Sequence, residues 1–419
     1  MALTTTLAEV MSFDGEGLAL RCVSCNSLYE FSPFLLRCPR CGGLLEVVVG
    51  DPGVSWSTWK ARNPGVWRYR EALPVPQDIA PVSLGEGGTP IVEMEGLRAK
   101  VYIKFEGSNP TGSFKDRGMT VGVTMAKSVG ARVVVAASTG NTAASMAAYA
   151  ARAGLKAVVV LPRGGVARGK LLQAMLHGAC IVEVEGSFDR AMDMVLGIAG
   201  STAVAYPLNS FNPIRLEGQK TLAYEIVDSL GYVPDYVVVP VGNGGNIAAI
   251  WKGFRELWEW GLTDELPVMI GVQAEGASPL ARAWSEGLQE PLWIDYPRTI
   301  ASAIRIGRPV NWPKAMAAVR DSGGLFVAVD DEAIMDAQKL VARKAGLGVE
   351  PSSAAAVAGL LRLVEDGAIE PDSSVVVVAT GHALKDPDVL QGMASSHLRV
   401  SDASELERIL EYIATHARG

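Results

Sequence analysis

Apolar residues fall in short runs, not in one continuous rhythm, through most of this chain. The segments "KVYIKFEG", "ARVVVAAS", "LKAVVVLP", "CIVEVEG", "DYVVVPVG", "PVMIGVQAEG" and "SVVVVATG" are each brief and rich in Val or Ile. Between them lie stretches with helical spacing, such as "TAASMAAYAARAG", "GKLLQAML" and "EAIMDAQKLVARKAG". Buried strands alternating with helices predict an α/β fold whose parallel sheets are covered on both faces. The runs are too many for one sheet of ordinary size, which predicts two doubly wound, open parallel-sheet lobes. The expected division assigns residues 56–125 and 216–390 to a larger lobe and 126–215 to a smaller one. Residues 1–55 form a separate small segment, and 391–419 form a helical tail that a Ser or Asp opens as a cap. Residues 51–80, rich in Trp, Pro and Arg, read as an irregular connector that packs its aromatics on a neighbour.

Composition narrows the function. In 419 residues, 49% are hydrophobic and 20% charged, the balance of a soluble globular chain. A net charge of −7 argues against nucleic acid as the main partner. The start, "MALTTTLAEVMSFDGEG", has neither the basic head nor the apolar run of a secretory signal. The charge-free stretch from Val133 to Ala150 is broken by Ser138, Thr139, Asn141 and Thr142, so it reads as strand, loop and helix, not a membrane span. No membrane partner and a cytoplasmic location follow as expectations.

The five cysteines divide four and one. Cys22 with Cys25 and Cys38 with Cys41 form two Cys-x-x-Cys pairs with twelve residues between them. That is the pattern of a structural zinc site closed by four thiolates, with no open position for chemistry. A vestigial ribbon without metal is the alternative. Cys180 leads into an apolar strand and is expected to be a small core residue.

Ligands in open α/β sheets bind at the carboxyl ends of the strands, and four polar loops stand there. "NPTGSFKDRG" places Lys115 between a turn and a helix start, beside Phe114, with Asp116 and Arg117 behind it. "ASTGNTAAS" clusters Ser138, Thr139, Asn141 and Thr142 at another helix start, which favours a carboxylate or phosphate; ordinary capping needs only one of them. "VGNGGNIAA" offers Gly242, Asn243, Gly244, Gly245 and Asn246 as a nest for one phosphate, or as a plain tight turn. It is neither a Walker loop nor a dinucleotide fingerprint. Thr380 ends a buried strand, where its hydroxyl faces a ring nitrogen or merely closes a turn. A placed lysine with a monophosphate nest points to an aldehyde cofactor bound as a Schiff base, pyridoxal 5'-phosphate.

The motifs "NPTGSFKDRGM", "ASTGNTAASMAAYAARAG", "NSFNPIRLEGQKT", "PVGNGGN", "EPSSAAAVAGL" and "TGHALKDP" together resemble the threonine synthase family, in the tryptophan-synthase-β-like group of pyridoxal-phosphate enzymes. The resemblance runs from Pro81 to Pro387, and the cysteine segment resembles a zinc-ribbon-like extension of some members. It implies that Lys115 carries the cofactor, Phe114 packs on it, Asn141 meets the ring hydroxyl, Gly242 to Asn246 hold its phosphate and Thr380 faces the pyridine nitrogen. A neutral hydroxyl there leaves that nitrogen largely unprotonated. Ser138 and Thr139 meet the substrate carboxylate, while Thr142, Asn209, Ser210 and Arg215 cradle the substrate phosphate. The implied reaction turns O-phospho-L-homoserine and water into L-threonine and phosphate, with Lys115 as general base, closure of the smaller lobe and a homodimeric assembly. Departures are small: Gly244 stands where Ala is familiar, and Ala383 where Gly is frequent. Two other readings stay open at this point. One is another enzyme of the fold, a dehydratase or a β-replacing enzyme acting on phosphoserine. The other is a zinc-ribbon binding protein with a degenerate enzyme body.

Overall fold

The computed structural model describes residues 17–138, 140–163, 171–186, 188–198, 204–391 and 398–416. Thirteen strands fall into three sheets among them. β1 (Leu18–Cys22), β2 (Leu28–Glu30) and β3 (Leu45–Val49) make a small antiparallel sheet in the order β2-β1-β3. β4 (Ile91–Met94) and β5 (Lys100–Phe105) begin a larger sheet, and β6 (Val133–Ala137), β7 (Lys156–Pro162), β8 (Cys180–Val184) and β9 (Ala205–Pro207) make another in the order β8-β7-β6-β9, all parallel. β10 (Tyr236–Pro240), β11 (Val268–Ala274), β12 (Leu325–Val329) and β13 (Ser374–Ala379) complete the larger one as β12-β11-β10-β13-β5-β4. Only β4 runs antiparallel there.

Position in the sheet follows sequence. β13 is buried along its whole length between β10 and β5, and its "SVVVVA" gives both faces β-branched surface. At an edge the same composition behaves differently. β8 pairs only with β7, and Cys180 at its start is exposed, so the expectation of a core cysteine is corrected.

Five helices position the site: α1 (Lys115–Ser128), α2 (Asn141–Ala153), α3 (Pro213–Leu230), α4 (Gly245–Glu259) and α5 (Pro351–Glu365). The expected lobe boundaries at 125/126 and 215/216 fall inside α1 and α3, so these helices run on past each cut. α1 and α3 cross very closely. A Cβ on Gly218 would lie 1.8 Å from the Arg117 carbonyl oxygen, and one on Gly118 would lie 2.8 Å from the Arg215 carbonyl oxygen. No residue larger than glycine fits at the crossing, and it is this approach that brings Arg215 beside Lys115.

The connector packs as its composition predicts. Trp59 is fully buried, stacked on Tyr224 at 5.5 Å and edge-on to Tyr69 at 5.0 Å. The tail forms α6 (Ala403–His416), opened by Asp402, whose carboxylate accepts the Glu405 N–H at 2.9 Å.

Candidate functional site

The lysine turn is held from several sides. Ser113 bridges Gly381, and the Phe114 N–H donates to the Thr380 carbonyl at 2.9 Å, tying the start of α1 to the end of β13. The buried Asp116 carboxylate accepts from Thr111 N at 2.7 Å, Thr111 Oγ1 at 2.6 Å and Ser145 Oγ at 2.5 Å. Burial pushes it up to about 6 against those bonds. Arg117 lies between two carboxylates, with Nε 2.6 Å from Glu106 and Nη2 2.6 Å from Glu225, while Lys104 sits 2.9 Å from Glu225. These four charges cancel inside the protein and anchor the first turn of α1.

So fixed, Lys115 faces a cavity of about 720 Å³. Its Nζ lies 4.1 Å from the centre of the Phe114 ring. Burial, then the positive charge of Arg215, lowers the amine to about 7; the Glu350 carboxyl opposes the shift. A lysine held there is substantially neutral at physiological pH and ready to attack a carbonyl.

Two helix starts open on the same cavity. At α4, Gly244 adopts φ 80° as the cap, and no side chain bonds the first-turn N–H groups. A Cβ at Gly242 would meet the Ile304 Cα at 2.9 Å, and one at Gly244 the Asn311 carbonyl at 3.0 Å. Asn243 is occupied: its Nδ2 donates to Ser210 Oγ at 2.9 Å and its Oδ1 accepts from Val310 N at 2.5 Å. Asn246 Oδ1 accepts from Gln219 Nε2 at 3.3 Å, while its buried Nδ2 has no partner. At α2, Gly140 is the cap and again no side chain bonds the first turn. Ser138 Oγ accepts from Gly140 N at 3.3 Å, Asn141 turns to Glu350, and Thr142 lines the cavity. Thr139 lies outside the described residues. Capping therefore does not account for this polar cluster.

The arginine segment completes the wall. Asn212 caps α3 through Ile214 N at 3.0 Å, with Pro213 at the first helical position. Arg215 is 1% exposed and burial lowers it to about 10. Its Nε has no partner, and its Nη1 and Nη2 reach only Leu208 O and Gln219 Oε1, each at 3.5 Å. A buried guanidinium so weakly satisfied suits an incoming anion. Ser210 lines the cavity with its hydroxyl proton free of Asn243. Asn209 lines it too, but its amide clamps the Ala137 backbone at 2.8 and 3.0 Å and extends the β6–β9 pairing.

Two polar residues at the site escaped the sequence reading. Gln219, one turn after Arg215, links it to Asn246; the i,i+4 spacing was the available signal. Glu350 stands just before α5 and reads as a cap, yet its side chain makes no cap bond and meets Asn141 and Thr380 instead.

The four cysteines also converge. Their sulfurs all lie within 4.8 Å of one another, with Cys22 to Cys41 at 3.5 Å and Cys25 to Cys38 at 3.6 Å. Tetrahedral zinc with thiolates at its usual bond length separates sulfurs by about 3.8 Å. The cluster is compatible with a closed zinc site.

The lysine, the glycine nest and the two unpartnered donors, Arg215 Nε and Asn246 Nδ2, fit an aldehyde that carries one phosphate, together with a second anion. The family model for "Pyridoxal-phosphate dependent enzyme" matches residues 82–381. The chain belongs to that family, and its cofactor is pyridoxal phosphate. It is 50% identical over 402 residues to a threonine synthase of Methanocaldococcus jannaschii, covering 93% of this chain and 99% of the relative. It is 49% identical over 347 residues to a threonine synthase of Mycobacterium tuberculosis, covering 81% and 94%. The solved threonine synthase of Escherichia coli shares its fold, with a TM-score of 0.70 at 21% identity over 93% and 94% of the two chains.

Proposed function

We propose that the chain is a threonine synthase that converts O-phospho-L-homoserine and water to L-threonine and phosphate. The observation that carries this reading is Arg215: a buried guanidinium with an unpartnered Nε, at the wall of the cavity Lys115 faces. A dehydratase needs no such second anion site. The likeness to relatives of that name, at about half identity over most of the chain, supports the same reading.

Pyridoxal phosphate, when bound, supplies the electron sink that makes the substrate's α-proton acidic. The first-turn N–H groups of α4 and the Asn246 amide would hold its phosphate; Phe114, Asn141 and Thr380 would hold the ring. Lys115 Nζ, neutral near pH 7, takes the α-proton and then a β-proton; a proton is returned at Cγ and, after water has added at Cβ, another at Cα. Arg215, Ser210 and Thr142 bind the substrate phosphate and stabilise its departure from Cγ. Asn209 contributes mainly by holding the Ser210 loop against β6. Ser138 and the start of α2 receive the carboxylate. Water adds at Cβ, and closure of the smaller lobe over the larger one keeps it out of the earlier steps. The homodimer and the cytoplasmic site of action belong to this proposal. Among the described residues no helix is long and apolar enough to cross a membrane.

The test is release of phosphate together with threonine from phosphohomoserine, run in parallel with phosphoserine. Turnover of phosphoserine alone would overturn the reading in favour of a β-replacing enzyme.

A further inference from the structure

Glu350 is buried, 1% exposed, and it sits where two proposed ring contacts meet. Asn141 Nδ2 donates to its Oε2 at 3.1 Å, and Thr380 Oγ1 lies 3.2 Å from its Oε1. Its backbone is pinned as well, since Glu350 N donates to the Gly381 carbonyl at 2.9 Å. Gly381 has to be glycine for the carboxyl to lie there, because a Cβ would come within 2.6 Å of the Glu350 Cδ. A glutamate at a helix start ordinarily caps or faces water. This one makes no cap bond and spends its carboxyl on one residue from the end of β13 and one from the start of α2.

Thr380 has a single hydroxyl proton, and its oxygen also lies 3.1 Å from Ser353 Oγ. Ser353 in turn accepts the Gly381 N–H at 3.0 Å. When Glu350 is ionised it can only accept, so the Thr380 proton goes to it and the threonine oxygen is left as an acceptor. When Glu350 is protonated it donates to Thr380, and Thr380 turns its own proton outward as a donor. A carboxyl behind the hydroxyl therefore selects which hydrogen-bonding face Thr380 offers.

We infer that Glu350 is a positioning residue for the cofactor: it joins the Asn141 amide to the Thr380 hydroxyl and sets whether Thr380 accepts from, or donates to, the ring nitrogen. The inference rests on the proposed placement of the ring against Thr380 and Asn141. Burial raises Glu350 above the usual carboxylate range and Asp386 adds to the rise; Asn141, Lys385 and Thr380 oppose it. The Lys115 amine also interacts with it through charge. The switch thus falls closer to neutrality than an exposed glutamate would allow.

The test uses holoenzyme reconstituted with pyridoxal phosphate labelled with 15N in the ring, for wild type, Glu350→Gln and Glu350→Asp. The ring-nitrogen resonance is followed against pH, alongside cofactor affinity and thermal unfolding of each apoprotein. The expected result is a pH-dependent resonance in wild type, a flat one in Glu350→Gln, and a pH dependence with a moved midpoint in Glu350→Asp. Cofactor affinity falls about tenfold in Glu350→Gln, with unfolding temperature unchanged. Identical titrations and affinities in all three proteins overturn the inference while leaving the function intact. If Glu350→Gln does not fold, Glu350→Asp decides alone: a moved midpoint supports the inference and an unmoved one overturns it. A wild-type protein that takes up the label without a covalent link to Lys115 overturns the underlying reading, and this inference with it.

Discussion

The cavity and the cysteine sheet are both clusters of side chains gathered at the ends of short strands, but they are held in opposite ways. The cavity wall stands on two sheets whose valine-rich strands are buried on their own account, and on the α1–α3 crossing. The unsatisfied atoms at that wall, Arg215 Nε and Asn246 Nδ2, are the ones a ligand would satisfy. The cysteine sheet has three short strands, and much of its surface is intermediate or exposed. Its strands bury Leu18, Leu20, Leu45 and Val47 in one cluster with the body, but Cys25 is only half-buried and Cys41 is exposed, so there a metal would hold the two knuckles together. The lesson is that a body with a large core can present reactive groups unpaired, whereas a small sheet must close its ligands on one another.

The strongest test of a preformed cavity is Lys115→Ala. It should remove the visible absorption of the covalently bound cofactor and lower turnover by at least about 10³-fold. Thermal unfolding of the apoprotein should hardly change, because the lysine is a cost to the fold and not a prop. A variant that unfolds would mean that the lysine holds the cavity together.

Gly218→Ala probes the scaffold without touching a reacting group. A methyl 1.8 Å from the Arg117 carbonyl must push α1 from α3. The expected cost is about 1–3 kcal/mol of stability and up to about 10²-fold in kcat/KM, since Arg215 and Lys115 lose register. Wild-type kinetics in a destabilised variant would show that the crossing serves folding alone.

The depressed lysine gives a smaller, pH-dependent effect. With Lys115 at about 7, the rate at which the apoprotein takes up pyridoxal phosphate, read from visible absorbance, should rise about fivefold from pH 6 to pH 7. It should gain less than about twofold above that, as the neutral fraction saturates. A rate that keeps climbing toward pH 10 would mean an ordinary, solvated lysine.

What the sequence made legible follows the same division between local and assembled features. The valine runs of β5, β6, β7, β10, β11 and β13 are readable because burial on both faces leaves few polar positions, Lys104 and Gln273 being exceptions. Outside the cysteine sheet, the runs passed over were β4, β9 and β12. β4 is an antiparallel edge, β9 has three residues that are strand only through pairing with β6, and β12 closes the other edge. Lys115 and the Gly242–Asn246 loop announce themselves through neighbours in the chain. Glu350 does not, because its meaning depends on Asn141, 209 positions away. Cys180 misled for a related reason: an apolar strand says nothing about whether it lies inside a sheet or at its rim.

The mildest prediction concerns how the two regions touch. Tyr206 OH donates to the Pro33 carbonyl at 3.0 Å, Arg37 lies 6.0 Å from the Phe211 ring, and Leu36 and Leu44 pack in one cluster with Phe211. Phe211 directly follows Asn209 and Ser210, so the cysteine sheet props the loop proposed to receive the substrate phosphate. Cys38→Ser, or a chelator, should release zinc and loosen the sheet while the body stays folded and keeps its cofactor. The ratio kcat/KM should fall only a few-fold, by about 0.5–1 kcal/mol of lost positioning, through a higher KM for the phosphorylated substrate with kcat nearly unchanged. Metal analysis that finds the same zinc in wild type and variant would remove the four-thiolate site. A variant that loses zinc but keeps its KM would mean that the sheet merely adjoins the loop and does not brace it.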